Sequence, residues 1–409
     1  MPDKFAAVNL GKLATSPALY PKESMLAVEE QRRSLFIGIP KESSFQENRV
    51  GLTPDAVKQL TDQGHRIWVE SGAGSPSKYS DHEFSEAGAR IVYSTDEVYE
   101  ADIILKIAPP TYDEVDYLRP NQTLISALHF GNLTSDYINA LLRKKINAIS
   151  FELLRDRSEA KPVVRAMSEI AGSTVMLIAA EYLSSSNDGK GIILGGITGV
   201  PPSKVVILGA GTVAEYAARA ALGLGAEVKV FDNHIYKLRR LKHNIGAQLF
   251  TSTLDRTVLY KEIRQADVVI GALVSDEGRM ACMVEEGIVS QMEPGSIIID
   301  VCIDQGGCFE TSELTSHSRP IYRKYDIIHY CVPNIASRVP RTATNALSNI
   351  FTPIFTDISK YGGINEALFM NDHYRSGVYI YKGSLTNASI AKKFGMRYKE
   401  LGLMIAVRN

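Results

Sequence analysis

The chain has 409 residues, 45% of them hydrophobic and 22% charged, which suits a globular protein with room for two ordinary domains. Its 45 Lys and Arg against 46 Asp and Glu give a formal net charge of −1. That balance excludes general binding to nucleic acid or to an anionic membrane surface, both of which call for clustered positive charge. The longest apolar stretch, Ile170 to Leu183, is broken by Gly172, Ser173, Thr174 and Glu181 and is too short to cross a bilayer.

Residues 1–34 have no apolar core of signal-peptide type and read as an extension with a short helix near Lys22 to Arg33. From Leu35, short apolar runs alternate with helical stretches, the sequence form of a parallel α/β sheet. Strands are expected at Leu35–Ile39, Arg66–Val69, Ile103–Ile107, Thr123–Ser126 and Asn147–Ser150. Helices are expected from Pro54, capped by Thr53, to Gln63, and from Asp136 to Lys144. The polar segment Ala160–Met167, with Pro162, reads as a break before a helix from Ser168 to Leu183.

A second α/β series follows, with strands at Lys204–Leu208, Glu227–Asp232, Val268–Gly271, Ser296–Val301 and Ile327–Cys331. Helices return at Thr342–Lys360 and Ser389–Leu401. The pattern fits two α/β units with parallel sheets, and favours insertion of the second into the first over two domains in tandem. Residues 163–340 are inserted between 35–162 and 341–409. The four cysteines, Cys282, Cys302, Cys308 and Cys331, and the eight histidines show no metal-ligand spacing. No metal is expected, and the thiols are those of a reduced, cytoplasmic protein.

The segment Val205-Val-Ile-Leu-Gly209-Ala-Gly211-Thr-Val-Ala214 is an apolar strand running into G-x-G-x-x-A and then a helix, Glu215 to Leu224. Gly209 permits a tight turn, Gly211 lets the backbone approach a pyrophosphate, and Ala214 lets the helix pack on the strand. The helix N-terminus supplies free N–H groups. The next strand ends in Asp232, where a carboxylate accepts from the adenosine ribose hydroxyls and repels a 2′-phosphate, so NAD is expected rather than NADP. Lys237, one turn further, reads either as a ribose or adenine contact or as a solvated surface lysine.

The first α/β unit places polar residues at strand ends, where ligands gather in open sheets. Arg49 lies in FQENRVGLTP, Lys106 sits inside the apolar run Ile103–Ala108, and His129 follows Leu124–Leu128. In the second unit, Asp304 lies in DVCIDQGG. Each has a plainer reading as well. Arg49 can form a surface ion pair, Lys106 can snorkel to solvent, His129 can be a hydrogen-bonded core histidine, and Asp304 can cap its loop.

Together, GIPKE, NRVGLTP, ILKI, ALHFG, MSEIAG, GAGT, DVCIDQGGCFE and YCVPNIASRVPRTAT resemble the alanine dehydrogenase family, which includes the NAD-binding subunit of nicotinamide nucleotide transhydrogenase. The resemblance runs from about Leu35 to about Tyr361. It implies two Rossmann-like domains with parallel sheets flanking a cleft, NAD in the inserted domain, and a hexamer that interconverts L-alanine with pyruvate and ammonia. Carried over by motif, Arg49 and Lys106 hold the substrate carboxylate and carbonyl oxygen, His129 is the acid/base, and Asp304 is its partner across the cleft. Ser168, Gly209, Gly211, Ala214, Asp232, Lys237, Leu273, Val274, Val301, Ile303, Val332, Asn334 and Ile335 would contact NAD. Histidine suits proton transfer near neutral pH.

The chain departs from the family in reading Ala-Pro-Pro after ILKI, in Ala214 as the third small residue of the fingerprint, and near Ser252–Leu254, where no serine aligns cleanly. Two alternatives remain at this point. One is a transhydrogenase-like NAD(H)-binding subunit; the other is a related enzyme that reductively couples a keto acid to an amino acid's amine.

Overall fold

The computed structural model describes residues 33–273 and 283–406. The helix expected near Lys22 to Arg33 falls, but for Arg33, outside the described residues, as do Val274 and Cys282.

Among the described residues, fifteen strands form two sheets. In chain order they are β1 (Phe36–Ile39), β2 (Arg66–Glu70), β3 (Arg90–Val92), β4 (Ile103–Leu105), β5 (Thr123–Ser126), β6 (Asn147–Ser150), β7 (Lys204–Leu208), β8 (Glu227–Phe231), β9 (Phe250–Ser252), β10 (Val268–Gly271), β11 (Ile297–Asp300), β12 (Ile321–Lys324), β13 (Ile327–Tyr330), β14 (Val378–Tyr381) and β15 (Ser384–Leu385). The first sheet runs β3-β2-β1-β4-β5-β6 in parallel, and β14 and β15 extend it antiparallel beyond β6. The second runs β9-β8-β7-β10-β11-β13 in parallel, with β12 antiparallel at its edge. The parallel sheets that the sequence predicts therefore carry antiparallel edges.

Each parallel set has the same order, third-second-first-fourth-fifth-sixth, which is that of the dinucleotide-binding fold. Each also reverses direction at a switch point, between β1 and β4 in one sheet and between β7 and β10 in the other. Runs such as VVIL in β7 and IIID in β11 are buried throughout, because helices cover both faces of a parallel sheet.

The Pro54–Asp62 helix starts as its sequence indicates: Thr53 Oγ1 accepts from Ala56 N, and Pro54 takes the first turn. Pro162, read from sequence as a break, is instead the first residue of a 22-residue helix, Pro162–Leu183. A proline at that position removes no helical hydrogen bond. The helix is long and apolar enough by length and composition to span a bilayer, which the shorter stretch read from sequence was not. Ten of its residues are buried, however, and it packs closely on the Thr212–Gly223 helix: a Cβ at Gly172 would come within 2.4 Å of the Val213 carbonyl. The helix expected over Ser389–Leu401 is two helices, Ala388–Phe394 and Leu401–Ala406, since Gly395 stops the first in the left-handed region. The apolar faces of the first sheet pack on the Pro340–Lys360 helix through Leu347, Phe351 and Phe355, and on the other side on Ile138, Leu141 and Ile390.

Candidate active site

At the carboxyl ends of β1, β4, β5 and β6, the first sheet gathers charge. Arg49 is buried, not a surface residue, and its guanidinium grips Glu47 at both oxygens: Nε to Oε1 at 2.7 Å and Nη2 to Oε2 at 2.6 Å. Burial alone would drive Arg49 toward its neutral form, but the Glu47 charge outweighs it and the guanidinium pKa lies above its ordinary value. Burial likewise pushes Glu47 up; Arg49 and a 2.8 Å bond from Asn334 Nδ2 overcome it, so Glu47 is held ionised below the usual range. Such bidentate pairing fixes the plane of the guanidinium as well as its charge.

Lys106, one residue past β4, has no exposed surface, so it does not snorkel. Its Nζ lies 2.9 Å from Glu42 Oε2 and 3.3 Å from Glu114 Oε1. Glu42 also accepts from the N–H groups of Ile107 and Ala108. Burial raises the Glu42 pKa, with Lys106 opposing it.

His129 is exposed, in the left-handed region at φ 47°, ψ 56°, at the entry to the 3₁₀ turn Phe130–Asn132. A non-glycine residue there costs about 1–2 kcal/mol and persists where its surroundings hold it. Glu152 Oε2 accepts from the N–H groups of Leu128 (2.8 Å) and His129 (3.2 Å).

The second sheet brings its own loops. Asp304 sits in the 3₁₀ turn Ile303–Gln305 beyond β11. Its residue surface reaches solvent, but enough protein crowds the carboxylate for desolvation to raise its pKa. Glu152 and Asp300 add to the rise and His129 opposes it. The His129 loop lies directly against the Asp304 turn, since a Cβ on Gly131 would sit 3.3 Å from the Asp304 carbonyl oxygen. Further links join the Arg49 loop to the second sheet's side, among them Gln46 to His317, Glu47 to Asn334, and Asn48 N to Ser337 Oγ at 2.9 Å.

The glycine turn after β7 fits a dinucleotide. Gly209 has φ 111°, and a Cβ there would lie 2.4 Å from the Ala272 carbonyl, so any larger residue is strained twice over. A Cβ at Gly211 meets nothing within 4 Å, which leaves open space at the N-terminus of the Thr212–Gly223 helix. Ala214 is buried in the first turn of that helix. Asp232, at the end of β8, accepts from Ala210 N at 2.8 Å and from His234 N at 2.7 Å, tying its carboxylate to the turn.

Lys237 is half-buried one turn further along. Leu273 follows β10 and its carbonyl accepts from Cys302 Sγ. Val301 and Ile303 flank Cys302 beyond β11 and are half-buried. Val332 and Ile335 have their side chains packed in the core of the second sheet, and Asn334 is exposed beside them with φ 57°. Ser168 is half-buried in the Pro162–Leu183 helix, next to Met167, whose sulfur lies 3.3 Å from Arg49 Nη1.

Sequence reasoning found the cations and missed their partners Glu42, Glu47, Glu114 and Glu152. The signal for Glu42 is its place in GIPKE at the end of β1, beside the switch point. Spacing also missed a cluster: ligand atoms of Asp300, Cys302 and Cys308 lie within 4.8 Å of one another. Asp300 is already occupied, accepting from Cys302 N, Cys308 N and Ser312 Oγ.

Residues 38–171 match the N-terminal domain and residues 175–388 the C-terminal domain of the family described as alanine dehydrogenase/PNT. The chain is 38% identical over 366 residues to "Alanine dehydrogenase 2" of Staphylococcus aureus strains Mu50 and USA300, covering 89% of this chain and 98% of theirs. A solved L-alanine dehydrogenase superimposes with a TM-score of 0.82 at 34% identity, over 87% of this chain and 98% of that one. A transhydrogenase from Sinorhizobium meliloti, 23% identical over 86% and 99% of the two chains with a TM-score of 0.72, shares the fold. With both family domains matched in order over sheets of the same design, the chain belongs to the alanine dehydrogenase/PNT family.

Proposed function

We propose that the chain is an NAD-dependent L-alanine dehydrogenase, interconverting L-alanine with pyruvate and ammonia. One observation carries the reading: the switch point of one sheet gathers Arg49 and Lys106, with His129 on the adjoining strand end against the Asp304 turn, while the switch point of the other holds the glycine turn. The likeness to alanine dehydrogenases over most of the chain supports it.

When bound, NAD supplies the nicotinamide that takes or returns the hydride. The residues of the chain do the rest. Arg49, its plane oriented by Glu47, offers the Nη1 edge that here meets the Met167 sulfur to the substrate carboxylate. Lys106, charge-balanced by Glu42 and Glu114, stabilises negative charge on the carbonyl oxygen as ammonia adds to the keto acid, and in reverse as ammonia leaves the carbinolamine. His129 takes the proton as the addition proceeds and returns it in reverse. Asp304, when ionised, supports the cationic imine and orients the incoming nucleophile. Asp232 binds the ribose hydroxyls and disfavours a 2′-phosphate. Ser168, Lys237, Leu273, Val301, Ile303, Val332, Asn334 and Ile335 line the remaining nucleotide contacts.

The substrate unit is residues 35–162 with 341–409, and the nucleotide unit is 163–340. A homo-hexamer and a cytoplasmic location follow the family resemblance; solution mass and cell fractionation measure them. The function is tested by NADH formation from a panel of amino acids, with NADP in parallel. L-alanine with NAD is expected to give the highest rate, and His129→Ala to abolish it while NADH still binds. A panel in which no amino acid yields NADH overturns the reading.

A further inference from the structure

We propose that Glu152 and Lys393 are positioning residues for the reaction, clamping the His129 loop from its two ends. The inference rests on the reading of His129 as the acid/base.

The loop turns sharply from β5, with His129 at φ 47° and the 3₁₀ turn Phe130–Asn132 after it. The N–H groups that enter the turn, those of Leu128 and His129, both point to Glu152 Oε2. The carbonyls that leave it, those of Phe130 and Gly131, accept from Lys393 Nζ at 2.6 and 3.4 Å. The same ammonium stands 4.8 Å from the Phe130 ring centroid and 5.1 Å from that of Phe394. An anion thus meets the donors and a cation meets the acceptors, so each charge opposes the backbone dipoles it touches.

Neither partner is local. Glu152 follows β6, and Lys393 lies on the Ala388–Phe394 helix, past residue 388, where the family's C-terminal domain match stops. That helix is seated on the first sheet by Ile390 and Ala391, which share a core cluster with Leu128 and Leu133 at the two ends of the loop. The free side of the loop abuts the Asp304 turn, so a shift of the loop changes how His129 meets Asp304.

Glu152 has a second effect. Three titratable groups face the Asp304 carboxylate: Glu152 from beyond β6, His129 from beyond β5, and Asp300 from β11. Glu152 adds to the rise that burial gives the Asp304 pKa. Removing the Glu152 charge therefore lets Asp304 ionise at lower pH. Lys393 acts on the loop backbone and is not one of these groups.

The test uses the full chain with Glu152→Ala, Glu152→Gln, Lys393→Met, Lys393→Arg and His129→Ala, measuring kcat, KM, the pH profile of kcat/KM, NADH binding and thermal melting. Glu152→Ala and Lys393→Met are expected to lower kcat on the order of 10-fold, as misplacement of an acid/base group does, with NADH affinity and melting little changed. Glu152→Gln keeps an oxygen for both N–H groups, so most of kcat survives while the acid limb of kcat/KM moves to lower pH. Lys393→Met leaves that limb in place, and Lys393→Arg restores kcat. Wild-type kcat in Glu152→Ala and Lys393→Met, beside an inactive His129→Ala, overturns the clamp alone. An active His129→Ala overturns the reading beneath it. Losses of melting temperature or NADH binding in step with kcat make both residues merely structural and also overturn the clamp.

Discussion

Lys106 shows what an interior cation requires. A bare cation at the end of an apolar strand is costly to bury, yet Glu42 and Glu114 meet its ammonium and Ser43 Oγ donates to Glu114. The pair of acids is as dependent on the lysine as the lysine is on them. Lys106→Met is expected to abolish turnover and to cost about 3–5 kcal/mol of stability, because it leaves buried carboxylates uncompensated. Chemical denaturation checks the magnitude. The sign with pH follows from Glu42: burial already raises its pKa, and without Lys106 it rises further, so the penalty shrinks as pH falls and Glu42 takes a proton. A double variant, Lys106→Met with Glu42→Gln, should regain part of the stability and none of the activity.

The turn after β7 is the element with least tolerance. Gly209→Ala brings a methyl to 2.4 Å from a carbonyl at φ 111°, so the turn must move, and with it the N–H groups at the start of the Thr212–Gly223 helix. Several kcal/mol of stability and most NADH affinity should be lost together, by melting and by fluorescence titration. This turn was legible in sequence because every part of it is local: strand, glycines, helix and the following acid lie within one βαβ unit. The buried strands were legible for the same reason, as β5, β6, β7 and β10 have the bounds that their apolar runs indicate. Strands with a polar or half-exposed pattern were not, as in β9 and β12. Nor was the hairpin of β14 and β15, whose pairing with β6 joins Val378 to Ile149. The ion pairs of the site were illegible too. Glu42 reaches Lys106 across 64 positions and Glu152 reaches His129 across 23, and no local pattern records such a meeting.

At the scale of the molecule, two sheets of one design face each other through loops, and the Arg49 loop is where they are stitched. Glu47 holds Arg49 from within that loop and is itself held by Asn334 from beyond β13. Substrate grip and nucleotide-side geometry are therefore coupled through one carboxylate. Asn334→Ala should raise KM for the amino acid several-fold, since it removes a bond that keeps Glu47 ionised and aligned. An amino-acid KM indistinguishable from wild type would break this link.

The pairing of β14 with β6 also bears on how the polypeptide matures during translation. The second sheet draws its strands from one continuous stretch, residues 204–330, and can close as soon as that stretch has left the ribosome. The first sheet cannot: the outer edge of β6 stays bare from residue 150 until residue 378 emerges, an open seam that invites mispairing with neighbouring nascent chains. Late synthesis thus completes the earliest-made half, and the segment that seals it also delivers the helix bearing Lys393.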